Sequence, residues 1–405
     1  MNIVFVEPNF PRNQREFVRG LASVGANVIG IGETPREWLD DELAGWMTHY
    51  EQVGSVTDTE QLTETVRRIQ QQVWVDRLEA TIESHTLPAA RAREATGIPG
   101  TSVHTTWLCR DKPSMKEALR AAGIRTAMST GASSAAEITA FVDQVGFPVV
   151  IKPRDAAGAA GTHRVDDGAA LDRVVAGLPD GASVAVEEFI EGHEGFYDTV
   201  CVDGQVRLDF ACHYYPNVLE AMRTRWISPQ YISTNRIDDG GLYDEIRVMG
   251  QRVVAALGIG TSATHMEWFH GPKGLVFSEI GARPPGVGCY DLYCSGNDMD
   301  VYAAWAEAVV RGSVSAHPSR SHSAGIIALR PDRDGSITGY EGLEDVENRY
   351  GRWVIDAHLP GSGTPTQPIE AGFMANAWIR MRHPDYDVLR TVLDDVGGTV
   401  RVHAG

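Results

Sequence analysis

The chain has 405 residues, 43% of them hydrophobic, which is more than one core usually serves and enough for two or three lobes, each with its own core. Its formal charge of −18 comes with no run of Lys or Arg, which argues against nucleic-acid and anionic-membrane partners and means that any bound anion must meet locally placed cations. No stretch approaches the ~20 apolar residues of a membrane span, and "MNIVFVEPNF" reads as an opening strand with no basic leader.

Five cysteines (Cys109, Cys201, Cys212, Cys289, Cys294) without a C-x-x-C pair suit reduced thiols in a cytoplasmic protein. Cys289 and Cys294 could be read as a metal pair, but buried or bystander thiols fit better, and no zinc site is assigned.

In chain order, "NIVFVEP", "NQREFVRGLASVG" and "ANVIGIGE" read as a strand, an amphipathic helix stopped by Gly25, and a second strand, which is how a doubly wound parallel sheet begins. "LTETVRRIQQQV", "VDRLEATIES" and "PAARAREATGIPG" extend the pattern through residues 1–107. No G-x-G-x-x-G follows the first strand, so a dehydrogenase reading loses its main support. "KPSMKEALRAAG" is a helix with a glycine stop, and "GFPVVIKP" a buried strand ending on Lys152. "SVAVEEFI" and "FYDTVCVDGQVRLDFACHYY" suggest a small antiparallel sheet, a cover over about 148–210 within a central domain of 108–314. "YDEIRVMGQRVVAALG" is a helix, and "SATHMEWFH" and "KGLVFSEIGARPPG" form a strand pair across the turn "GPKG". Residues 315–405 turn strand-rich and close on the helical "DYDVLRTVLDDVG", a smaller terminal α+β subdomain.

Three groups of residues carry chemistry. Lys152 ends an apolar strand just before the small-residue loop "RDAAGAAGTHRV", where backbone N–H groups can approach a phosphate; a surface lysine before an ordinary turn explains it equally well. In "VEEFIEGHE" a strand leading into a loop can present backbone to an adenine edge, with a carboxylate further on for ribose hydroxyls, although a solvated acidic turn is the plainer account. Glu267 and Glu279 fall at or near the ends of paired strands; carboxylates placed side by side repel unless a cation lies between them, and oxygen-only ligands beside phosphate imply Mg2+. Arg283, four residues after Glu279, supplies a planar donor for an acyl phosphate or an oxyanion.

In order and spacing these segments resemble the ATP-grasp superfamily, in the branch that includes carbamoyl-phosphate synthetase, biotin carboxylase and the L-amino-acid ligases. The resemblance implies an ATP-grasp fold behind an N-terminal Rossmann-like domain, with Lys112 ("CRDKPSMKEALRAAGIRTA") and Lys152 on the ATP phosphates and Gly158 and Gly161 in the mobile glycine-rich loop. It implies Glu187 accepting from the adenine amino group, Phe189 and Ile190 reading the ring edge, and Glu194 holding the ribose. Glu267 and Glu279 become Mg2+ ligands, with Mn2+ as a substitute, and Arg283 the acyl-phosphate arginine.

The sequence departs from the family pattern at Gly281, where many members carry an Asn metal ligand, which leaves a second metal ion less certain. Pro284, Pro285 and Gly286 stand where biotin carboxylases have Gln-Val-Glu, which disfavours bicarbonate chemistry, while "RPPG" looks more like the amino-acid and peptide ligases. The resemblance therefore implies a carboxylate–amine ligase acting on small amino-acid-like molecules. A bicarbonate-using carboxylase or carbamoyl-phosphate-type enzyme, and a non-catalytic nucleotide-binding regulatory protein, are the alternatives. Candidate substrate residues are His213, Arg225, Trp226, His265 and Gly286, and a homodimer is the default assembly.

Overall fold

The computed structural model describes residues 1–154, 161–179, 182–286, 288–368, 374 and 376–405. The first lobe is a parallel four-stranded sheet in the order His49–Gln52, Asn27–Gly32, Asn2–Val6, Arg77–Glu79. Strands buried on both faces need continuous apolar runs, and Ile3, Val4, Phe5 and Val6 supply one. The helix Gln14–Ser23 crosses back over the sheet and stops near Gly25, whose φ of +86° reverses the chain.

The main body is an antiparallel eight-stranded sheet in the order Gly274–Gly281, Ser262–Gly271, His193–Val202, Gln205–Tyr215, Gln230–Ser233, Ser323–Leu329, Ala377–His383, Val354–His358. Alternation along the strands gives it two apolar faces. Phe196, Val200, Phe210, Cys212 and Tyr231 pack against the helices Cys289–Asn297 and Val301–Arg311, which rest on the first lobe. Tyr197, Ala211, Met266, Trp268 and Phe277 pack on the opposite face against Lys112–Ala121 and Leu242–Ala256. The helices Gln14–Ser23 and Val301–Arg311 meet at Gly20, where a Cβ would lie 2.7 Å from the Tyr302 carbonyl oxygen.

A second antiparallel sheet, in the order Ser129–Ala132, Val184–Glu188, Val149–Pro153, His163–Val165, forms the cover with the helices Ala135–Val145 and Gly168–Gly177. Here the structure differs from the expected small sheet over 148–210. The run "FYDTVCVDGQVRLDFACHYY" supplies two central strands of the large sheet instead, because both its faces are apolar and need covering from two sides. The terminal subdomain likewise lends three strands to that sheet and keeps only the pair Ile337–Glu341 and Arg401–Ala404 to itself. Among the described residues no helix is long and apolar enough to cross a membrane.

Candidate active site

The helix Lys112–Ala121 begins beneath the cover sheet. Its N-cap Asp111 accepts from Ser114 N–H and also receives Arg154, which donates from Nε (3.0 Å) and Nη2 (2.9 Å), so one carboxylate caps the helix and ties it to the cover. Lys112 and Lys116, one helical turn apart, share a face and are both buried. Glu187 stands opposite Val150 in the sheet register, and Lys152, two residues further along, projects from the same side.

The result is a buried cluster. Glu187 Oε2 lies 2.7 Å from Lys116 Nζ and 2.8 Å from Lys152 Nζ, while Lys112 and Lys152 reach Glu279 at 3.5 and 4.0 Å. Burial alone would raise the Glu187 carboxyl, but the two lysines outweigh it and hold it at about 2. Burial pushes Lys116 down to about 8 in spite of Glu187, so its charge exists only because of the carboxylate beside it. Lys152 goes the other way: burial opposes its charge, and Glu187, Glu279 and Glu267 together raise it.

Facing the cover, Glu267 and Glu279 are direct register partners across the strands Ser262–Gly271 and Gly274–Gly281, with a bulge immediately after Glu267. The lysine that ends the cover strand thus shares one cleft with both carboxylates. Glu194 belongs to the same acidic group: burial and then the Glu267 charge lift its carboxyl to about 8, and its Oε2 accepts from Val218 N–H at 2.7 Å. Carboxylates paired in this way are oxygen donors for an ion that completes its shell with phosphate and water, as Mg2+ does.

His265 sits two residues before Glu267. Its Nδ1 is 2.7 Å from Asp198 Oδ1 and its Nε2 3.7 Å from Glu267 Oε1, and Asp198 also accepts from the Tyr293 hydroxyl. Burial would depress this imidazole, but Asp198 outweighs it and raises the pKa to about 9. Arg283 lies beyond the end of the second strand, where Nε donates to Glu83 Oε2 of the first lobe at 2.7 Å and Nη1 to the Pro284 carbonyl at 2.8 Å.

Other candidates fall elsewhere. His213 is on the opposite face of the large sheet, bonded to His193 (2.9 Å) and the Tyr243 hydroxyl (2.9 Å), because it keeps step with Ala211 and not with Cys212. Arg225 pairs with Asp334 at 2.6 Å and Trp226 is 88% exposed, so neither is gathered at the carboxylates. The Gly286 carbonyl accepts from Cys289 N–H, 3.2 Å away, at the entry to the helix Cys289–Asn297. Phe189 donates its N–H to the Pro148 carbonyl and carries Arg164 over its ring, and Ile190 follows at the cover's edge. Gly161, with φ +68°, closes against Pro153, while Gly158 lies outside the described residues.

Lys116, Asp198, Tyr293 and Glu83 were not singled out from sequence. The i,i+4 spacing from Lys112 was a usable signal for Lys116, and strand alternation with Glu194 for Asp198. Glu83 has no local signal, since its partner is 200 positions away.

Known proteins resemble this chain in sequence and in fold. Residues 117–297 match the ATP-grasp domain family. An L-arginine-specific L-amino acid ligase of Bacillus subtilis is 25% identical over 344 residues, 82% of this chain and 80% of that protein. D-alanine–D-alanine ligase B of Xanthomonas campestris pv. campestris is 38% identical over 122 residues, 28% of this chain and 37% of that protein. Among solved structures, an L-amino acid ligase from Bacillus licheniformis superposes with a TM-score of 0.77 at 18% identity, covering 100% of this chain and 98% of that one. N5-carboxyaminoimidazole ribonucleotide synthetase from Thermotoga maritima gives 0.70 at 16% identity, covering 100% and 99%. At such identities the superpositions speak for the fold alone. Residues 117–297 thus form an ATP-grasp domain, and the chain as a whole has the fold of the ATP-grasp proteins on which it superposes.

Proposed function

We propose that the chain is an ATP-dependent carboxylate–amine ligase that joins amino-acid-like molecules through an acyl phosphate and releases ADP and phosphate. The observation that carries this reading is Lys152, which contacts Glu187 of the cover and Glu279 of the large sheet at once, so that triphosphate cations and metal carboxylates belong to one cleft. The partial match along the chain to an L-amino acid ligase supports the substrate class.

Lys112, Lys116 and Lys152 neutralise the triphosphate, and Glu187, which now holds two of them, releases positive charge toward it as the phosphates enter. Glu187 Oε1, buried and without a hydrogen bond among the described residues, is available to the adenine amino group, and Glu194 to the ribose. Glu267 and Glu279 are the donors for Mg2+, which supplies charge neutralisation at the transferring phosphoryl group. The substrate carboxylate oxygen attacks the γ-phosphorus and ADP departs; the amine nitrogen then attacks the acyl carbon, loses its proton, and expels phosphate. No side-chain nucleophile is needed, because alignment and charge stabilisation are what phosphoryl transfer asks for. Arg283 faces the acyl phosphate and the oxyanion that follows.

The test is a panel of amino acids and small acids scored for ADP release, with product masses measured in the positive wells. Release that requires an organic acid and an amine, with a product lighter than their sum by one water, is the expected result. Release with bicarbonate alone overturns the reading in favour of a carboxylase.

A further inference from the structure

Arg283 is held from the far side of the molecule. Its Nε donates to Glu83 Oε2 (2.7 Å) and its Nη1 to the Pro284 carbonyl (2.8 Å), which fixes the guanidinium plane at two nitrogens. Glu83 opens the helix Glu83–Thr96 of the first lobe, so its carboxylate sits in that helix's favourable N-terminal field. Arg110 steadies it, with Nε 3.8 Å from Oε1 and Nη1 donating to the Glu83 carbonyl at 3.3 Å.

Gly281 gives this pair its room. A Cβ built there would stand 3.3 Å from Glu83 Oε2, 3.5 Å from Arg283 Cγ and 3.6 Å from Arg283 Nε. The residue that departs from the superfamily's usual asparagine is thus where the carboxylate and the arginine pass over the strand end. A cavity of about 20 Å³, lined in part by Thr81, Arg93, Ser262 and Arg283, marks the same seam between the lobes and has room for about one water.

We propose that Glu83 is a positioning residue for Arg283, so that the first lobe orients the arginine that faces the activated acid. The proposal rests on the ligase reading above. Partly exposed ion pairs contribute little to stability, so a purely structural role predicts little loss of anything when the charge is removed. Orientation predicts something different: a misaimed donor slows the step it serves while nucleotide binding stays intact.

The experiment compares wild type, E83Q, E83D, R283A and the E83Q/R283A double variant with an acid and amine pair that wild type joins. E83Q should lower kcat about 10- to 100-fold with the KM for ATP unchanged, and E83D should restore part of the loss. In the R283A background E83Q should have no further effect, since its influence passes through the missing side chain. E83A, which removes the carboxylate outright, should resemble E83Q and gives the same reading if E83Q does not fold. Losses that multiply in the double variant, or wild-type kcat in E83Q and E83A, overturn the proposal while the ligase reading stands. If wild type joins no acid to any amine, the ligase reading itself fails and takes the proposal with it.

Discussion

Replacing Glu187 by Gln keeps the side chain's shape and removes a carboxylate that Lys116 and Lys152 share at 2.7 and 2.8 Å. A carboxyl held at about 2 in place of its ordinary 4.5 contributes about 3 kcal/mol at neutral pH, at about 1.4 kcal/mol for each pH unit. Breaking a buried pair by removing one partner costs about 3–5 kcal/mol in general, which agrees. Lys116 limits the damage: already at about 8 with its partner present, it sheds its proton near neutrality once the partner is gone. The folded-state pKa of Glu187 is depressed, so its contribution is present in full above 4.5 and disappears as the pH falls toward 2. Urea denaturation of both proteins at pH 7 and again near pH 3 reads the difference, expected at about 3 kcal/mol and then about 1 kcal/mol. E187Q as stable as wild type at pH 7, or a loss that does not shrink on acidification, refutes the reasoning.

Arg283→Ala should slow product formation by roughly 100- to 1000-fold, about 3–4 kcal/mol of barrier, with MgATP affinity measured by calorimetry essentially unchanged. Glu194→Gln should behave oppositely. Its carboxyl is raised to about 8, so it costs stability increasingly as the pH climbs from 4.5; the Gln variant should melt at or above wild type at pH 7.5, yet bind MgADP about tenfold more weakly for want of the carboxyl that meets the ribose hydroxyls. Asp198→Asn removes what holds His265 at about 9 against an ordinary 6.5. That raised value is worth stability fully present below 6.5 and lost as the pH passes 9, so the metal-free variant should be about 2–3 kcal/mol less stable at pH 6.5 and near wild type above pH 9 by chemical denaturation.

Hydrophobic period and turn residues were enough to read the strand Asn2–Val6, the helix Gln14–Ser23, the cover strand ending on Lys152 and the hairpin carrying Glu267 and Glu279, because each is specified within ten or so neighbouring residues. Order and spacing along the chain also pointed to the ATP-grasp domain that residues 117–297 match. What tertiary structure decided was which side chains share a space. Strand alternation says that residues 211 and 213 lie together but not which face meets the cleft, and that choice sent His213 to Tyr243. Lys116 joins Lys152 on Glu187, Asp198 turns His265, and Glu83 reaches Arg283, each through pairings dozens to hundreds of residues apart in the chain. A charge is tolerable in the interior only where its partner is already placed, and that placement belongs to the assembled sheets and lobes, not to any local stretch of sequence.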